Sequence, residues 1–207
     1  MVYVADNTLT IRELAVREEL IYFFNPALKF LFMQFGMNKF RQYGFNSCRQ
    51  TAIFSAAYLR MIMPEYRYVV YEGKFVDKEV SKDVEYEHAF VVGFPRNKAT
   101  SKQLLVIDIS RTSRQLLFVR RSAHDPYPSD IAGYRNTRLL SMKPIDDEAL
   151  LMQEEPEFLT GLPPYDLFRI VCNTVEYLKT LNPAKHKRFY TRIYSMVTNI
   201  NPGGSSY

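Results

Sequence analysis

Apolar positions recur at helical spacing near both ends of the chain and crowd into short β-branched runs in its middle. Thr8 or Thr10 can cap a first helix reaching about Phe24, with Ile11, Leu14, Ala15, Leu20 and Tyr22 on a mixed apolar face. Pro26 suits the first position of a second helix, with Leu28, Leu31, Phe32 and Phe35 in register, and Gly36 ends it. Residues 37–46 read as an irregular loop. Asn46 or Ser47 then caps a third helix that runs to about Met63, before Pro64 stops it. Cys48, Ala52, Ser55, Ala56, Leu59 and Met63 fall near one face of it, small at the start and larger later, as tight packing on a sheet requires.

The middle of the chain predicts strands. Tyr66 to Glu72 is aromatic and β-branched, and a charged loop or ragged edge strand follows from Lys74 to Asp83. Tyr86 to Gly93 and Leu104 to Ser110 read as two further strands around a polar turn, with Gln115 to Arg120 as a partner. Residues 121–138 lack periodicity and read as a long surface loop of the kind that carries function, and Arg138 to Met142 adds a strand. Three helices close the chain, Asp146 to Glu154, Pro164 to Leu181 and Pro183 to Val197, before a flexible tail at 201–207. The expected fold is α+β: a central helix packed on a mostly antiparallel sheet, with N- and C-terminal helices flanking it. Residues 1–200 form a single catalytic domain in this reading, with 42–120 as its core and 1–41 and 145–200 as helical flanks.

Composition narrows the function. With 47% hydrophobic and 24% charged residues the 207-residue chain reads as globular. Its net charge of +5 falls short of a nucleic-acid signature, so no nucleic acid is expected as partner. The basic runs Arg120-Arg121 and Lys185-His186-Lys187-Arg188 read as solvated surface. Two Cys, Cys48 and Cys172, with no CxxC or Cys/His cluster, give no basis for a disulfide framework, a metal or a cofactor. Asn25, Pro26, Lys29 and Gln34 interrupt the most apolar stretch, which argues against a membrane span. The N-terminus has no signal-peptide pattern, so a cytoplasmic or otherwise reducing compartment is expected.

Three residues carry chemistry. Cys48 falls in the first turn of the third helix, where unpaired N–H groups and the helix dipole favour a thiolate. His88 stands in an apolar strand, where an imidazole is costly to bury unless something uses its nitrogens. Asp108 is as odd in the next strand, between Ile107 and Ile109. If the two strands are neighbours, the carboxylate holds one ring nitrogen and the other faces sulfur, giving nucleophile, base and orienter. The Cys48 N–H would be one oxyanion donor, and Gln42 the second, with Asn46 as its rival. His124, beside Asp125 in the polar loop, ranks below His88 as base because no strand fixes it. Cys172 reads as structural, and His186 as plain surface.

At these residues the chain resembles the papain-like cysteine enzyme superfamily, most closely its transglutaminase-like branch. Cys48 leading Thr51-Ala52-Ile53 and Ala56-Ala57-Tyr58-Leu59 is similar to that family's nucleophile helix, His88-Ala89-Phe90-Val91 to its histidine strand, and Val106-Ile107-Asp108 to its acid strand. Gln42 is similar in placement to the oxyanion glutamine of papain-type proteases. The chain lacks the Trp common near those sites, and Arg49 follows the thiol. The resemblance implies a thiol-dependent acyl-transfer enzyme acting on a protein or peptide substrate, most simply a cysteine peptidase or glutamine deamidase. Water as acceptor makes a hydrolase, and an amine makes a transglutaminase or acyltransferase. Arg111, Arg114, Arg120 and Arg121 lie just past the acid and could meet an acidic substrate. The competing class is a non-catalytic binding or adaptor protein of the same fold with a basic surface.

Overall fold

A computed structural model describes residues 9–43, 48–77, 84–97, 102–109, 117–124, 137–152 and 162–200. The chain divides into two compact units, one of residues Met1–Val16 with Ser47–Glu148, the other of Arg17–Asn46 with Ala149–Tyr207. The architecture is α+β with a five-stranded antiparallel sheet and several helices.

The first unit holds the sheet. Helix α1 (Ile11–Glu19) begins there, followed after the second unit's helices by α3 (Cys48–Ile62). Strands β1 (Tyr66–Asp77), β2 (Val84–Pro95), β3 (Gln103–Asp108), β4 (Leu117–Ser122) and β5 (Thr137–Ile145) follow, and then the start of α4 (Asp147–Met152). The sheet order is β4-β3-β2-β1-β5, every neighbouring pair antiparallel. β1 and β2 pair along twelve residues, from Tyr66↔Pro95 to Asp77↔Val84. The first strand thus continues through Lys74 to Asp77, where the charge pattern suggested a loop or ragged edge. Lys74 is exposed there, while Phe75 and Val76, which point to opposite faces of the strand, are both buried.

Helix α3 packs against β1 and β2. Its buried run from Thr51 to Leu59 includes Ala52, Ala56 and Ala57, whose small side chains let the helix approach the sheet closely. Phe75, Phe90, Val92, Leu104, Val106, Leu117 and Val119 form one apolar cluster drawn from four strands. Because β2 and β3 lie inside the sheet, the buried stretches Ala89–Val92 and Leu104–Ile107 read as unbroken apolar runs. Pro144 is tolerated on β5, an edge strand.

Two polar clusters fix the packing of this unit. Thr10 and Glu13 form a capping box at the start of α1: the Glu13 carboxylate accepts from Thr10 N at 2.7 Å, and Thr10 Oγ1 accepts from Glu13 N at 3.2 Å. The same buried carboxylate accepts from Tyr66 OH at 2.5 Å and from Arg120 Nη2 at 2.9 Å. Elsewhere, Arg60 of α3 grips Asp147 with two hydrogen bonds of 2.6 and 3.0 Å while donating to the Tyr68 carbonyl.

The second unit is helical. A π-helical segment (Leu20–Phe24) follows α1 and leads directly into α2 (Asn25–Tyr43), so Pro26 does not open a separate helix and Gly36 does not close one. In a regular α-helix the amide of residue 26 would donate to the carbonyl of residue 22. Pro26 has no such hydrogen, and His186 Nε2 donates to the Tyr22 carbonyl instead, at 2.8 Å. His186, read from sequence as plain surface, is therefore a structural donor whose ring also packs on Phe23. α5 (Pro164–Thr180) packs on α2 and the π segment, and α6 (Pro183–Ile200) packs on α2 through Phe30–Phe189 and Met33–Ile193. Asn182 caps α6, accepting from Lys185 N at 2.9 Å, with Pro183 at the first helical position. Among the described residues no helix is long and apolar enough to cross a membrane.

Candidate active site

The thiol, the imidazole and the carboxylate come from three elements of the first unit. Cys48 is the first residue of α3 and is half-buried. His88 stands in β2 and Asp108 ends β3. The register pairs Val91 with Ile107, so His88 and Asp108 sit just beyond the recorded β2–β3 pairing. There Nε2 of His88 reaches Oδ2 of Asp108 at 2.7 Å. The carboxylate side chain is 1% exposed and the imidazole 12%.

Cys48 stands near enough to His88 to help raise the imidazole's pKa. With Nε2 committed to Asp108, Nδ1 is the ring nitrogen left to serve sulfur. Burial opposes the charged form of His88. The Asp108 charge and hydrogen bond override it, with Cys48 adding to them, and push the His88 pKa up to about 10, against an ordinary 6.5. The site thus favours an imidazolium held between a carboxylate and a sulfur.

A glycine and a phenylalanine shape the imidazole's surroundings, and sequence reading missed both. Gly73 lies directly across the β1–β2 ladder from His88. A Cβ at Gly73 would meet Cε2 of Phe75 at 2.7 Å and Cζ at 2.8 Å, so the Phe75 ring occupies the space that glycine leaves. That ring meets the imidazole edge-on, centroids 6.2 Å apart. The available signal was a glycine inside a β-branched run, which marks a close approach.

The other sequence candidates fare differently. Gln42 falls within α2 rather than in a loop, and its side chain lies outside the described residues, as does Asn46. Most of the 121–138 loop, together with Arg111 and Arg114, is outside them as well. His124 is exposed in the turn after β4, where its backbone amide donates to Ser122 Oγ, while His88 is the histidine that reaches Cys48. Arg120 is committed to Glu13 and so is not a waiting anion receptor. Cys172 is half-buried in α5, and burial, with Glu176 adding to it, pushes its thiol up to about 11. Among the described residues no group of three or more His, Cys, Asp and Glu side chains is placed to hold a metal ion.

No known family model matches the chain, no curated protein matches it significantly, and no solved structure does either.

Proposed function

We propose that the protein is a thiol-dependent acyl-transfer enzyme, a cysteine peptidase or glutamine deamidase, built on a core like that of the papain-like superfamily in its transglutaminase-like branch. The observation that carries this reading is the 2.7 Å His88–Asp108 pair with Cys48, at a helix start, acting on the same imidazole. A buried His–Asp pair with a half-buried thiol nearby suits proton exchange better than it suits packing.

In this mechanism the His88 imidazolium already holds the Cys48 sulfur as a thiolate, and Sγ attacks the carbonyl carbon of a peptide or carboxamide. The Cys48 backbone N–H, one of the helix's unpaired donors, stabilises the oxyanion. The imidazolium, held by Asp108, returns its proton to the nitrogen as the C–N bond breaks, and the amine or ammonia departs. Water then adds to the thioester and gives a proton to His88. The C–S bond breaks, the acid leaves, and the thiolate–imidazolium pair is restored. An amine in place of water makes the same site a transferase.

The test is incubation of the whole protein with a peptide panel, scoring cleavage, ammonia release and amine incorporation in parallel. One of these products should form and fall by about 10³-fold or more in Cys48→Ala, the scale for losing a nucleophile. Product formation equal in the wild type and Cys48→Ala would defeat the proposal.

A further inference from the structure

We infer that the thiol site selects acyl donors carrying a carboxylate close to the reacting carbonyl, such as aspartyl or glutamyl peptides, and that Arg49 reads that carboxylate. The inference rests on the acyl-transfer reading and adds a substrate class to it. Its basis is a charge imbalance beside the thiol.

Arg49 follows Cys48 in the first turn of α3, where its side chain is 42% exposed. Its Nε lies 3.8 Å from Glu72 Oε1, and the other carboxylate oxygen lies 3.4 Å from Nζ of Lys143. Lys143 is Glu72's direct partner across the β1–β5 ladder. One carboxylate thus faces two cations and leaves one positive charge over. Among the described residues the other charges nearby pair off: Lys74 with Glu87 at 3.9 Å, and Asp108 with His88.

The Arg49–Glu72 contact is electrostatic, because 3.8 Å is too long for a hydrogen bond. Nε of Arg49 is buried with no hydrogen-bond acceptor among the described residues. A guanidinium in that condition gains from a carboxylate able to take its fork of donors, which a backbone carbonyl or neutral side chain cannot match. Position favours the same ligand. Arg49 follows Cys48 directly in the first turn of α3, so the surplus charge lies beside the thiol residue. The α3 N-terminus adds its own preference for an anion.

Two reagents of nearly equal size test this without knowing the substrate. Iodoacetate and iodoacetamide each form an S–CH₂ bond to Cys48 as iodide leaves, and they differ in carrying a carboxylate or a carboxamide. The readout is the ratio of their rates at Cys48 in the full chain, normalised to the same ratio at Cys172. Arg49→Gln should lower that ratio by about fivefold, the scale of one partly screened charge. Glu72→Gln, which releases Arg49, should raise it, and added salt should compress it. A ratio unmoved by both substitutions overturns the inference while leaving the acyl-transfer reading in place. Failure of Cys48 to outpace Cys172 with either reagent instead removes the reading beneath it.

Discussion

Nε2 of His88 lies 2.7 Å from Oδ2 of Asp108, in surroundings that leave the carboxylate 1% exposed. A charge-assisted bond in so dry a place ties the histidine's proton to the folded state. The folded imidazole keeps its proton up to about 10, whereas an ordinary one loses it near 6.5. The stabilisation is therefore complete below about 6.5 and is lost as pH rises toward about 10. Lys29, whose pKa burial pushes down to about 8, acts oppositely above that value, since losing its proton relieves a buried charge. The His88 contribution is thus best read between about 6.5 and about 8. Wild-type urea midpoints should fall across this window, and those of Asp108→Asn should stay nearly level. A wild-type midpoint that climbs there would contradict the pairing.

The ring of Phe75 fills the space over Gly73 and sets its edge against His88. Gly73→Ala forces that ring to move, and Phe75 is fully buried, so the displacement reaches the imidazole. Alkylation of Cys48 should slow by about tenfold in Gly73→Ala, as expected for a catalytic group misplaced by a fraction of an ångström. A smaller side chain removes the clash, so Gly73→Ala with Phe75→Leu should recover much of the rate. Equal rates in wild type and Gly73→Ala would show that the ring does not position the histidine.

Glu13 joins the start of α1 to β1 and β4 through Thr10, Tyr66 and Arg120. Burial would raise its pKa, but the hydrogen bonds from Arg120, Tyr66 and Thr10 together outweigh burial and lower it. Its contribution is present above the ordinary 4.5 and is lost as pH falls through the lowered value. Glu13→Ala strands the buried Tyr66 hydroxyl and takes a carboxylate from the partly buried Arg120, and should cost about 2 kcal/mol of stability by denaturant unfolding at neutral pH. A cost below about 1 kcal/mol would mean that the network adds little beyond its helix cap.

Much of the fold was legible because its signals are local. Pro64, Pro164 and Pro183 bound helices where sequence places them, and the Val- and Ile-rich runs around His88 and Asp108 form adjacent strands. The meeting of those two residues was readable because each polar side chain was unexplained alone. Reading failed where a remote partner overrides a local signal. Pro26 and Gly36 punctuate a helix on paper, yet the chain stays helical to Tyr43, with a π segment and the His186 side chain accommodating the proline. The role of Arg120 was hidden because Glu13 stands over a hundred residues away. The Thr10-Ile11-Arg12-Glu13 capping box was visible in sequence, but its second use as an ion-pair partner was not.

The decisive measurement is the alkylation rate of each cysteine by iodoacetamide at mildly acid to neutral pH, followed by mass spectrometry of the full-length chain and its peptides. Cys172, its thiol pushed up to about 11, provides an internal slow standard. Cys48 should react at least about a hundredfold faster than Cys172, and His88→Gln should remove most of that advantage. Equal, slow labelling of both cysteines, or a Cys48 rate indifferent to His88, would contradict a thiol activated by its imidazole neighbour.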